Sequence, residues 1–495
     1  MHGSLRCSQV AILLGFFLLA ACGDDDATGS GTTTTTVGPG GSGSSGSGGG
    51  QGGAGQGGGG AGGGGCAGCT GEHLWSRRFG GPADQMANAG VDGSGNVLVA
   101  CRFAAGFGFD GLELSPSNLQ QGELDGCVAK LDASGNASWA HGFGASATGP
   151  GFWAPIADAA GNVYASTTFS GTIQLGDTAI SSTQGLDAAI ARYSAAGAAV
   201  WGKAFGAAGD QQIISMAPAA GSLLATGAFD GDLGPLTTAG AYDVWVGKFA
   251  ETGEPTWLRS FGSTGFDSAY GVAPTLDGGV VFVGGFEGSV DFGGGPLVSA
   301  GSFDGFVAKL DASGNHVWSK RFGDADGFIQ LSLAVDPSDG DIVIVLGTTQ
   351  VVDFGGGPLA ASGGYDVVVA RLDAAGNHRW SRRFGDAADQ SGTAVAAAGG
   401  YTLVAGDFEG SMDAGGGALQ SAGSRDVFAA KLDHDGNHVW SKRFGDEASQ
   451  TLGSVAVDGE GRVVLAGAFA GTIDLGGGPL ASAGGLDIFV AELGP

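Results

Sequence analysis

Residues Leu310–Asp324 read LDASGNHVWSKRFGD. They hold two acids, an amide, a histidine, two bases and a tryptophan, enough for acid–base or metal chemistry. Near copies begin at Leu372 (LDAAGNHRWSRRFGD) and at Leu432 (LDHDGNHVWSKRFGD). His73, His316, His378 and His438 each stand two residues before a tryptophan, and four histidines invite a zinc reading. Zinc–nitrogen bonds are only about 2 Å long. Histidines on separate copies of a repeat cannot converge to that distance, so they are read as residues at the edge of a turn.

A second set of groups lies just after the Phe-Gly that ends each copy. Asp84, Asp210, Asp267, Asp326 and Asp389 stand four to six residues past the phenylalanine. They are read as approaching one mouth of a channel, where a partial ring of carboxylates can hold a hydrated divalent cation or a basic ligand. The competing reading is that each carboxylate ties up backbone N–H groups in its own turn. No metal is assigned from the sequence. No phosphate-binding Gly-Lys-Ser/Thr loop, nucleophile elbow or zinc-protease motif occurs.

The cysteines form a third set. Cys101 falls near the end of one strand signal and Cys127 near the start of the next, so antiparallel pairing brings them together and a disulfide is expected. Cys66 and Cys69 are expected to pair locally. An export signal implies the oxidising surroundings that both bonds need.

The elements that position these groups repeat. Trp75, Trp139, Trp201, Trp257, Trp318, Trp380 and Trp440 are spaced by 64, 62, 56, 61, 62 and 60 residues. Asp125, Asp187, Asp243, Asp304, Asp366, Asp426 and Asp487, each opening an apolar run, give an independent count of seven. Each unit carries four short runs of Val, Phe, Leu and Trp bounded by Gly, Asp and Asn, which are strand signals. Asp-x-x-Gly-Asn supplies the positive φ of a tight hairpin. A loop near 15 residues, such as SVDFGGGPLVSAGSF, separates the second and third strands. The fold class expected is all-β, a seven-bladed β-propeller of four-stranded antiparallel blades over residues 71–495.

The first copy has only its last strand, His73–Gly80, and the last copy stops after its third, Asp487–Pro495. Joined, they complete blade seven and close the ring, which also shields strand edges. The tryptophans are expected to pack between blades. The opening aspartates are expected in hairpin or inter-blade hydrogen bonds, and the recurrent Lys/Arg of the third strand is read as a solvated or stacked residue. Tyr193-Ser194, Phe249-Ala250 and Pro218-Ala219 break the pattern, so altered hairpins are expected in units two and three.

The motif D-x-F-V-A-K-L-D-A-S-G-N-x-x-W-S-x-x-F-G, followed by V-A-V-D-G-x-G-x-V-x-x-A-G-x-F-x-G-T-x-D-x-G, resembles the bacterial β-propeller repeats of the SBBP type over residues 73–495. That resemblance implies a secreted or surface-attached protein, of the kind found in myxobacterial-type lipoproteins with Gly-rich leaders. The Leu-Asp-x-x-Gly-x-x-x-Trp spacing is also similar to the docking motif of quinoprotein propellers. That family usually has eight blades and, in its dehydrogenases, a vicinal disulfide. This chain offers neither, and no cofactor is expected.

The N-terminus gives an address. Arg6 precedes Val10–Cys22, VAILLGFFLLAAC, which is too short to span a bilayer and suits the core of a signal peptide. Leu19-Ala20-Ala21-Cys22 resembles a bacterial lipobox, which implies a signal peptide over 1–21 and lipidation of Cys22. Residues 22–70 then read as the lipidated cysteine and a tether. Residues 23–70 contain 23 glycines and no charge beyond Asp24, Asp25 and Asp26, so no core forms there.

The full chain of 495 residues carries a net charge of −28, which disfavours nucleic-acid partners. The expected protein is a monomeric, lipid-anchored, extracytoplasmic propeller at a bacterial outer membrane or cell surface. It is read as a non-enzymatic scaffold for a protein or glycan ligand. The alternative is a hydrolase, lyase or quinone-dependent dehydrogenase with its site at the channel mouth. Irregular blades one to three, with Trp153, Trp245 and Arg102, are where a site is expected.

Overall fold

Runs rich in β-branched and aromatic residues, closed by Gly-containing turns, fold into short antiparallel strands and nothing else. A computed structural model describes residues 69–116, 124–144, 154–175, 178–323 and 328–495, and no helix occurs among them. Cys22, Cys66, Trp153, Asp324 and Asp326 lie outside the described residues. The described residues all belong to the unit Gly68–Pro495.

The strands form seven four-stranded sheets. Blade four is typical: Asp267–Pro274 is innermost, followed outward by Val280–Phe286, Asp304–Leu310 and His316–Phe322. Each inner strand contacts the inner strand of the next blade, and the inner strand of blade seven, Gln450–Val457, contacts that of blade one, Gln85–Val91. The ring is a closed seven-bladed β-propeller. His73–Phe79 pairs antiparallel with Asp487–Leu493 and is the outer strand of blade seven. The two ends of the repeat array complete one blade, as their complementary gaps require.

The apolar core is divided into seven clusters, one per seam between blades. Glycine explains how the tryptophan fits there. Gly314, in the third-to-outer turn of blade four, adopts φ +77°, and Trp257 of blade three lies flat against it with Nε1 donating to Ala312 O at 3.1 Å. A Cβ on Gly314 would press into the indole. The same tryptophan-on-turn contact recurs round the ring, ending with Trp440 on Gly71. The first basic residue of each outer-strand pair helps the tryptophan: Arg77 donates to Ser134 O at 2.9 Å and Arg259 to Gly314 O at 3.0 Å. The second basic residue stays within its blade. Arg443 pairs with Asp426 at 2.6 Å, and Arg78, Arg321 and Arg383 pair with Asp487, Asp304 and Asp366.

Three sequence expectations need correction. First, the long loop contains a small hairpin. Ser289–Asp291 pairs with Pro296–Val298 in blade four, and six blades carry such a pair; blade five has the single bridge Val352–Leu359. Val290 and Phe292 from that hairpin fill the seam beside Trp257. The hairpin tip reaches the start of the outer strand, where His316 packs on Gly294 and its Nε2 sits 3.2 Å from Ser319 Oγ.

Second, the turns after Tyr193 and Phe249 keep the standard form. Ser194 and Ala250 make the same backbone bonds as Asp132 and Asp311, because Gly197 and Gly253 retain positive φ. Of these three positions only the inner turn at Pro218-Ala219 is altered, with Ala219 paired directly to Ser222, as Ala398 is to Tyr401 in blade six.

Third, the third-strand Lys/Arg is not solvated: it is buried in blades one, four, five and six and partly buried in blades two and three, and in blade six Lys431 stacks on Tyr401 as the other expectation had it. Lys130 reaches Asp92 at 2.8 Å, Arg192 reaches Asp158 at 3.0 Å and Lys309 reaches Asp277 at 2.7 Å, each clamping the turn between the first two strands. Blade seven reverses the charges. Glu492 takes the lysine position, and Arg462 of the turn lies 3.5 Å from it while pairing with Asp458 at 2.6 Å.

Candidate functional site: the linker face and its non-repeated polar groups

Strand direction gives the ring two faces. Tight Asp-x-x-Gly turns lie on one, and the linkers between blades lie on the other with the bases of the small hairpins. The linker aspartates sit on the second face, and the structure shows what they hold. Asp84, Asp210 and Asp389 accept the backbone N–H of Leu486, Leu186 and Tyr365, at 2.9, 2.9 and 3.0 Å. Each donor precedes the opening aspartate of the previous blade's third strand. The carboxylates therefore tie neighbouring blades together, rather than closing their own turns. Asp210 uses its second oxygen on the Tyr242 hydroxyl, at 2.8 Å.

Asp267 does not join this set. It begins the inner strand of blade four, the position held by Gln85, Gln211, Gln390 and Gln450 in other blades. Those glutamines are fully buried, and Gln390 shows why the amide suits the place. Its Oε1 accepts Asp386 N at 3.0 Å and its Nε2 donates to Glu409 O at 3.0 Å. Asp267, also fully buried, accepts Ser263 N at 2.8 Å and Glu287 N at 3.2 Å. Burial pushes its carboxyl up to about 7, outweighing those two N–H donors, with the Asp243 and Glu287 charges adding to the rise.

Two more non-repeated groups share one register, next to last on the second strand where it reaches the linker face: Arg102 in blade one and Asp407 in blade six. Asp407 pairs with Arg425 at 3.1 Å and accepts Leu452 N, yet burial still pushes it up to about 6. Arg102 is half-buried, and burial pulls its guanidinium below the usual range. Trp245, another residue singled out by sequence, is core: it is 1% exposed and its Nε1 donates to Gln212 O at 2.9 Å.

On the turn face, Asp339, Asp341 and His434 place ligand-type atoms within 4.8 Å of one another. The fully buried Arg371 lies among them, bonded to Asp336 at 3.0 Å and to Asp339 and Asp341 at 2.9 Å. Arg379 adds a second guanidinium 2.6 Å from Asp341. A dication would face two positive charges at short range, each worth about 4 kcal/mol per unit charge at 4 Å and an effective dielectric of 20. The resident cations of this cluster are its arginines. Sequence spacing gave no sign of it, because its members come from two blades and three separate segments.

Cys101 and Cys127 stand directly opposite each other in the second and third strands of blade one. They are disulfide-bonded, with Cα atoms 4.9 Å apart. Cys69 Sγ lies 3.6 Å from Lys431 Nζ on the turn face, and Cys66 is not described.

No family model matches this chain, and no curated protein matches it. Among solved structures it is similar to a protein of unknown function from Dyadobacter fermentans, with 11% identity, 86% of this chain and 98% of that chain covered, and a TM-score of 0.39. It is also similar to a PL25 ulvan lyase bound to -[GlcA(1-4)Rha3S]-, with 11% identity, coverages of 83% and 95%, and a TM-score of 0.43. A rhamnogalacturonan lyase gives 12% identity, coverages of 84% and 74%, and a TM-score of 0.33. These are likenesses of outline, and no function is taken from them.

Proposed function

We propose that this chain is a lipid-anchored, extracytoplasmic propeller that works as a binding scaffold and presents its linker face to a ligand. The observation that carries this reading is the polarity of the ring. The propeller's first strand starts at His73 and its last ends at Leu493, both on the turn face, where Gly494 N donates to Glu72 O at 2.6 Å. Neither end of the described strand array lies on the opposite face. The repeated acids and bases described above are engaged by intramolecular bonds and serve the scaffold. The non-repeated Arg102, Asp267 and Asp407 all sit at the linker end of their strands. Asp267, the group best tuned for proton transfer near neutrality, is fully buried and cannot touch a substrate, which favours binding over catalysis.

The address is tested by Cys22→Ser. Cells fed an alkyne-labelled fatty acid should label the native chain and leave the variant unlabelled, and the variant should leave the membrane fraction. A variant that stays in salt-washed membranes overturns the anchor.

A further inference from the structure

We infer that the seam between blades one and two holds an oxyanion-binding site built around Arg102. The inference concerns a ligand and stands independently of the lipid anchor. Strand Val97–Phe103 sends Leu98 and Ala100 into the apolar cluster shared with Ala165 and Phe169 of blade two. Strand alternation puts Arg102 on that same face, toward blade two and near the linker end. Its partners across the sheet are Met86 and Gly126.

The same register carries Thr168, Ala228, Gly285, Gly347, Asp407 and Ala468 in the other blades. Scaffold alone needs a small residue there. Asp407, the other charged exception, has its own arginine and a backbone N–H. Among the described residues Arg102 has neither equivalent: its polar contact runs from Nη2 to Met86 Sδ at 3.8 Å. Every other arginine of the described propeller donates to, or pairs with, a protein oxygen.

A guanidinium offers five N–H donors in a planar fork. Holding them half-dry against a thioether costs stability unless oxygens from outside complete the set. The fork matches carboxylate, sulfate and phosphate through two parallel bonds. Across the seam, alternation places the buried Thr167 on the same face as Ala165 and Phe169, and among the described residues its hydroxyl makes a 3.4 Å bond to Thr168 O. The net charge of −28 does not forbid an anion, because charges farther than about 8 Å are largely screened at physiological salt.

The test uses the full-length chain in detergent, with sodium sulfate, sodium phosphate and sodium D-glucuronate titrated separately at constant ionic strength. Calorimetry and the shift in melting temperature read the binding. At least one anion should saturate. Sulfate or phosphate alone marks a site for a tetrahedral anion, and glucuronate alone marks one for an organic carboxylate. Arg102→Met should weaken binding at least tenfold, whereas Arg382→Met, on an exposed outer strand, should bind as the native chain does. Without anion, Arg102→Met should melt no lower than the native chain, because the charge it removes has no partner. The inference is overturned if no anion saturates, if Arg102→Met loses less than tenfold, or if it melts lower without anion.

Discussion

Asparagine at position 267 should change how the propeller's stability depends on pH. Asp267 is fully buried, and burial pushes its carboxyl up to about 7, whereas an aspartate in an unfolded chain titrates near 3.9. Between those values the folded protein holds a proton that the unfolded chain has released. Stability attributable to this group therefore falls as pH rises through the window, and the loss is complete above about pH 7. Each pH unit is worth about 1.4 kcal/mol, so the window of about 3 units sets a ceiling near 4 kcal/mol.

Asp267→Asn cannot titrate. It leaves either Ser263 N or Glu287 N without an acceptor, a pH-independent cost of about 1–2 kcal/mol. Relative to the native chain, the variant should be weaker near pH 4 and gain steadily toward pH 7. Urea unfolding followed by tryptophan fluorescence, between about pH 4.5 and 7.5 at fixed ionic strength, measures the difference. Asp407 and the other titrating groups are present in both proteins and cancel to first order. A difference that stays flat across this range would falsify the reasoning about Asp267.

Three further outcomes are expected. Trp380 is 6% exposed, and its Nε1 donates to His434 O at 2.8 Å. Trp380→Ala should cost about 3–5 kcal/mol in urea unfolding and Trp380→Phe less than about 2; equal costs would mean that the indole is not a seam filler. Glu492→Lys should destabilise blade seven by setting an ammonium beside Arg462, and adding Arg462→Asn should restore most of the loss by recreating the Asp92, Asn96 and Lys130 set of blade one. A double variant no better than Glu492→Lys alone would refute the equivalence of the two blades. Non-reducing peptide mapping should recover a Cys101–Cys127 cross-link, and its reduction should lower stability by about 3 kcal/mol; alkylation of both thiols without reductant would contradict this.

The ring was legible because its markers are large residues at a fixed period. Seven tryptophans and seven aspartates number the blades, and the complementary gaps at the two ends announce the closure. Side-chain pairings between positions far apart in the chain were not legible. The Lys130 position reads as one more polar strand residue until the turn carboxylate of the same blade is seen above it. The small hairpins escaped notice because strands of two to four residues have no periodicity to detect. Asp267 was grouped with Asp84 by distance from the phenylalanine, whereas the register aligns it with Gln85. One residue of offset changed its meaning from a linker tie to a buried carboxyl. Arg102 was noticeable only as an irregularity, and its lack of an oxygen partner among the described residues is a fact of three dimensions.

The clasp that closes blade seven also settles how the ring would carry mechanical load. A pull entering the propeller from residues before His73 acts along the axis of the outer strand. That strand pairs along its length with Asp487–Leu493, from His73–Leu493 to Phe79–Ile488, with one irregularity between His73 and Trp75. Force along that axis loads these rungs together, in shear, whereas a pull across the strand would peel them one at a time. A chain drawn from the turn face along the strand axis would thus load every closing rung at once.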